Sequence, residues 1–220
     1  MSFYKKQILT SGIPKPTTMR ISKYILTIVT LLFITSGLIA QDLQYSLTTI
    51  NDFKIEGDSN VRKWHADIHE ADGQLLFNAN EKFSAEQLQP EHFNSLTLSI
   101  PVSNISSDSN ILTNNIHNNL KKDEFPEITF TLDEVADVVI SNGRTVITAI
   151  GTIQAAGANH RVTMNVHAAE GNNQSIRFSG SKEMLMTDFE IDPPTAMMGA
   201  FRSVDEITIV FDVLFTKVSD

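Results

Sequence analysis

The chain has 220 residues, 41% of them apolar, and carries 26 acidic against 17 basic residues for a formal charge of −9. A chain this acidic, with no basic stripe, repels phosphate backbones, which excludes nucleic-acid binding as a role. The absence of cysteine excludes a thiol nucleophile, a cysteine zinc site, disulfide staples and a lipidated cysteine behind a leader.

In chain order, the first 40 residues read as an extension followed by an export signal. Residues 1–18 form the extension, and Met19 is an alternative start. "MRISKYILTIVTLLFITSGLIA" then places Arg20 and Lys23 ahead of an apolar run from Tyr24 to Ala40, and the chain turns polar at "QDLQ". A basic start, an apolar middle and a small residue before the cut define a secretory signal. Cleavage is expected between Ala40 and Gln41. A retained anchor is the alternative, although the run is short for a membrane span. Residues 1–40 contain five basic residues and no acidic one, so the remainder holds 12 basic against 26 acidic residues, a charge of −14. The expected organisation is a processed segment, 1–40, and one domain, 41–220. The location expected is periplasmic or secreted, with no stable membrane anchor after cleavage.

From residue 43 the apolar pattern has mostly period two, which predicts half-buried strands. "VRKWHADIHE" and "GQLLFNANEKF" read as a strand pair across Ala71, Asp72 and Gly73. "SLTLSIPVSNI" is a further strand, in which Pro101 marks an edge, a bulge or a strand start. "SDSNILTNNIHNNLKKDEF" departs from period two and predicts a helix over about residues 109–124. Ser107, Asp108 or Ser109 caps it, and Ile111, Leu112, Ile116 and Leu120 form one apolar stripe. Lys121 and Lys122 fall in its last turn, where cations complement the helix dipole, and Pro126 stops it. Four more strands follow, "TVITAIGTIQ", "HRVTMNVHA", "SIRFSGS" and "DEITIVFDVLF". The turn signals "SNGR", "AAGAN" and "EGNN" separate the first three of these from what flanks them. Short strands joined by tight turns predict an all-β barrel or sandwich.

Several stretches, in order, resemble the YceI-like family of polyisoprenoid-binding, lipocalin-like exported bacterial proteins. They are "DSNVRKWHADI", "LTLSIPVSNISSDSNILTNNIHNNLKKDEFPEITFTL", "GTIQAAGANHRVTMNV" and "LMTDFEIDPPTAMMGAFRSVDEITIVFDV", and the similarity covers roughly residues 45–218. "NVRKWHADI" stands where better-known members carry an aromatic-rich strand motif. The resemblance implies an antiparallel lipocalin-like β-barrel of about eight strands, with the helix near one end and an elongated apolar cavity. Its interior candidates are Phe130, Met164, Phe178, Met184, Met186, Phe189, Phe201 and Phe211. It also implies an amphipathic lipid partner, such as an isoprenoid, a polyprenyl or a quinone-type molecule. The head group would sit near the helix or the 188–201 loop.

Two other readings compete. Inward Phe and Met residues could fill the core, making an interaction module of the cell envelope. His65 and His69, four apart in "WHADIH", could hold a metal in a secreted enzyme, but on a strand they share a polar face with Asp67 and lack a visible third ligand. No nucleophile elbow or other catalytic motif is present, so neither catalysis nor a cofactor is expected. Whether two copies pair as a homodimer is left open.

Overall fold

The computed structural model describes residues 42–78, 84–172, 174–196 and 201–218. Its strands are β1 (Leu43–Ser59), β2 (Trp64–Ile68), β3 (Asp72–Phe77), β4 (Phe93–Pro101), β5 (Ile105–Ser106), β6 (Glu127–Ser141), β7 (Arg144–Ala155), β8 (Ala158–Glu170), β9 (Ser175–Leu185), β10 (Thr195–Ala196) and β11 (Phe201–Lys217). One α-helix, α1 (Asn110–Asn119), lies between β5 and β6. β2 and β3 both pair with β1, Trp64 standing opposite Gly57 and Phe77 opposite Leu43, so together they make one wall strand. β5 and β4 pair with β2 and β3 in the same succession. Counted this way, eight antiparallel strands follow chain order around the wall, and β1 meets β11 to close it. Closure removes the exposed edges that an open sheet would present.

The pairing corrects the expected hairpin at Ala71–Gly73. Two-residue hairpin turns need left-handed backbone at their centre, and no residue from His69 to Gly73 has positive φ. The chain runs on through them along β1 instead. At "SNGR" and "AAGAN" the requirement is met: Asn142 and Gly143 have φ of 50° and 72°, Ala156 and Gly157 of 51° and 90°. These are the β6–β7 and β7–β8 turns. Pro101 ends β4 rather than starting a strand. A 3-10 turn, Val102–Asn104, follows it and separates β4 from β5.

The helix is shorter than the sequence predicts. Ser109 caps it, its Oγ accepting from the Leu112 N–H at 3.4 Å. At the other end the Lys121 N–H reaches the Asn118 carbonyl and the Lys122 N–H the His117 carbonyl, while Lys121 turns left-handed at φ 52°. That is a Schellman termination. It stops the helix well before Pro126 and leaves both lysines outside the last turn. Lys121 Nζ instead donates to the Ala156 carbonyl at 3.0 Å, tying the helix end to the β7–β8 turn. Of the expected stripe, Ile116 and Leu120 pack on the core but Ile111 is 76% exposed. It stands one residue, about 100°, round the helix from the Leu112, Ile116 and Leu120 row.

The end of the barrel away from the helix is closed by packing. Phe77, 1% exposed, meets Tyr45 edge-on at 6.3 Å and Phe93 at 5.4 Å. Ala85 and Leu88 are buried beside this end, and the Ala85 carbonyl accepts from Thr145 Oγ1 at 2.8 Å.

Candidate functional site

Above that plug the barrel is hollow. The interior holds a cavity of ≈ 210 Å³. An engineered apolar cavity of about 150 Å³ stays dry and takes up a benzene-sized guest, so this space is large enough to hold a small apolar group. Its wall is apolar except for Thr129 and Lys182. The reading of a core filled by Phe and Met is thereby corrected: the inward side chains border a void.

Two glycines help to keep the space open. A Cβ on Gly151 of β7 would stand 2.3 Å from the Phe130 ring and 2.6 Å from the Thr131 carbonyl. A Cβ on Gly180 of β9 would stand 2.9 Å from the Phe211 ring and from the Asn165 carbonyl. Each ring lies over a bare glycine, against the wall, which leaves the middle of the barrel free. Gly151→Ala is expected to push the Phe130 ring inward and to strain the β6 backbone. The expected loss is about 1–3 kcal/mol, the range for overpacked cores, read by urea unfolding.

Seven of the eight residues singled out from sequence border this cavity: Phe130, Met164, Phe178, Met184, Met186, Phe189 and Phe211. The side chain of Phe201 lies outside the described residues, although its backbone pairs with Ala196. Much of the remaining wall is aliphatic and was not singled out, including Leu96, Leu98, Ile147, Ile209 and Val213. Alternation marks them, since each shares the parity of an inward neighbour on its strand. Lys182 was also missed. It sits on the inward register of β9 between Phe178 and Met184, a position that a lysine disguises.

At the helix end, Leu120, the C-cap of α1, reaches the cavity, as does Ile191 from the segment after β9. A 3-10 turn, Met186–Phe189, follows β9 at this end, and its Met186 and Phe189 are buried. Asp205 holds it by accepting from the Thr187 N–H at 3.0 Å and from Thr187 Oγ1 at 2.7 Å. Asp188 accepts from the Leu185 N–H at 2.9 Å and lies 3.6 Å from His160 Nε2, whose ring packs edge-on to Phe189. Part of the 188–201 loop is therefore built into the cavity's end. Residues 197–200 lie outside the described residues.

His65 and His69 are exposed on the outer face of the barrel. His65 Nε2 stands 4.0 Å from Asp67, and His69 Nε2 shares a hydrogen bond with Ser106 Oγ at 2.7 Å. Among the described residues no group of three His, Cys, Asp or Glu side chains is placed to hold a metal ion. No described helix is long and apolar enough to cross a membrane.

A closed, up-and-down eight-strand barrel around an apolar cavity defines a lipocalin-like protein. The YceI-like domain matches residues 44–215, and the chain belongs to that family. Solved structures agree on the fold. BcnA of Burkholderia cenocepacia is 16% identical with a TM-score of 0.55, over 74% of this chain and 95% of that one. A polyisoprenoid-binding domain from Saccharophagus degradans, implicated in plant cell wall breakdown, is 10% identical with a TM-score of 0.59, over 80% and 99%. The YceI protein of Campylobacter jejuni is 18% identical with a TM-score of 0.52, over 70% and 85%. Comparison with curated proteins found no match.

Proposed function

We propose that this protein is an exported, non-enzymatic carrier that shields the tail of an amphipathic lipid, of isoprenoid, polyprenyl or quinone type, inside its barrel. The observation that carries this reading is the ≈ 210 Å³ cavity with an almost wholly apolar wall. A tail buried there gains about 0.8 kcal/mol per methylene. Ten buried carbons would supply roughly 8 kcal/mol before the costs of immobilising the ligand are subtracted. Met164, Met184 and Met186 suit such a guest, because the unbranched thioether adapts to irregular apolar shapes. Family membership and the polyisoprenoid binding named for the Saccharophagus domain support the choice of ligand class. Under this proposal residues 1–40 direct export and are removed, and residues 41–220 act as the free domain.

Native mass spectrometry of the protein purified without detergent, with solvent extraction of its contents, tests the reading. The expected result is a bound population heavier by a single-chain lipid, and delipidated protein that takes up geranylgeraniol. Empty protein that also refuses geranylgeraniol overturns it.

A further inference from the structure

Lys182 is the one ionisable residue on a cavity wall otherwise built from apolar side chains and Thr129. Its place is set by register. β9 alternates Ile176, Phe178, Gly180, Lys182 and Met184 toward the interior, and Lys182 stands opposite Ile209 of β11. Three cations on the outer face of the barrel sit beside carboxylates: Lys54 lies 3.3 Å from Asp52 and 3.2 Å from Glu56, Arg161 lies 3.4 Å from both Asp133 and Glu134, and Arg177 clamps Asp212. Lys182 meets no carboxylate among the described residues. Glu183 points to the other face, and Asp188 is already engaged by the Leu185 N–H and His160. An ammonium kept on an apolar wall without an anion or water is costly.

The wall is interrupted beside it. The β8–β9 ladder runs from Glu170 opposite Ile176 only as far as Val166 opposite Gly180. Continued in register it would set Met164 against Lys182, but Ala158–Asn165 and Ser181–Leu185 form no ladder, although β9 stays paired to β11 along its whole length. The Met186–Phe189 turn packs against β8 through His160 and takes up the far part of this separation. A lysine stem laid along an apolar wall carries its ammonium toward water, and the interruption that lies beside Lys182 in register is this one.

We propose that Lys182 is the head-group residue of the barrel: an amphiphile lies with its tail in the cavity and its anionic head, a phosphate or a carboxylate, at the β8–β9 separation beside the Lys182 ammonium. The proposal rests on the carrier reading and narrows it to anionic lipids. In a chain whose expected mature form carries a charge of −14, an anionic head needs a local cation. A neutral head leaves that cation unpaired. The ion pair forms at a partly apolar site, where a charge-assisted hydrogen bond is stronger than in bulk water.

The test uses delipidated protein and displacement of the neutral fluorophore N-phenyl-1-naphthylamine by two matched pairs, geranylgeranyl phosphate against geranylgeraniol and palmitate against palmityl alcohol. The anion of at least one pair is expected to bind about ten-fold tighter than its alcohol, a preference that weakens with added salt. Which pair shows it distinguishes phosphate from carboxylate recognition. Lys182→Met should erase the preference, read as the ratio of anion to alcohol affinity on one sample with thermal unfolding reporting an intact fold, and Lys182→Arg should keep it. Preference retained in Lys182→Met, or alcohols and anions weakened alike, overturns the assignment. Alcohols that bind wild type with no anion preference overturn it while sparing the carrier reading, whereas failure of all four lipids overturns both.

Discussion

Ala149→Phe is expected to abolish lipid uptake while leaving the barrel folded. Ala149 points inward from the middle of β7, in register with Val135 on one side and Met164 on the other, and borders the cavity. In a filled core, adding a ring at such a position costs about 1–3 kcal/mol through strain. Here the ring has an apolar cavity of ≈ 210 Å³ to enter. Burying it should offset the perturbation, by about 1.5–3 kcal/mol for a full Phe side chain. The melting temperature of the delipidated variant should therefore equal or exceed that of wild type. Affinity for geranylgeraniol should fall at least about 100-fold, because the tail and the ring compete for one space, and 100-fold corresponds to about 2.7 kcal/mol of lost contacts. Thermal unfolding and fluorophore displacement on the same sample read both halves. A variant that unfolds would mean that the interior is packed. One that folds and binds as before would mean that the tail lodges elsewhere.

The same contrast between face and void explains what the amino-acid sequence reveals. Strands β7 to β9 are legible because alternation and the Asn142–Gly143 and Ala156–Gly157 turns agree with one another. β1 is harder to see: its register slips near Leu47, Ile50 and Gly57, and each slip shifts which residues face inward. The false hairpin between β2 and β3 follows from that, since the long partner that both pair with was not recognised as one strand. The helix end was misplaced because a lysine, Lys121, occupies the left-handed position where glycine is the usual signal. The resemblance named Phe130, Met164, Phe178 and Met184 as interior candidates, and each falls on the inward parity of its strand. Parity cannot say whether inward side chains meet across the barrel. That depends on strand number, closure and the bare glycines under Phe130 and Phe211, which are properties of the assembled wall. Lys182 escaped notice because a charged residue in a strand is ordinarily assigned to the solvent face, against the evident parity of its neighbours.

Phe77→Ala and Phe130→Ala make the same chemical change and should differ sharply in outcome. Phe77 is enclosed on every side at the closed end, with Tyr45 and Phe93 against its ring. Truncating it removes those contacts and leaves a new hole, at a cost of about 3–5 kcal/mol. That is a large part of the roughly 5–15 kcal/mol that holds a domain of ordinary stability. Phe130 already borders open space, so its ring makes fewer contacts to lose. Its truncation should cost no more than about 1.5 kcal/mol, chiefly through uncovering Gly151. Urea unfolding of the two delipidated variants measures this difference directly. Saturating geranylgeraniol then separates their roles. A ligand that binds only the folded state adds RT ln(1 + [L]/Kd) to stability. Phe77→Ala should gain nearly the wild-type increment, its binding walls being intact, while Phe130→Ala should gain less, having lost part of the surface that grips the tail. Equal increments would remove Phe130 from the binding wall, and a larger intrinsic loss at Phe130 than at Phe77 would reverse the assignment of plug and cavity.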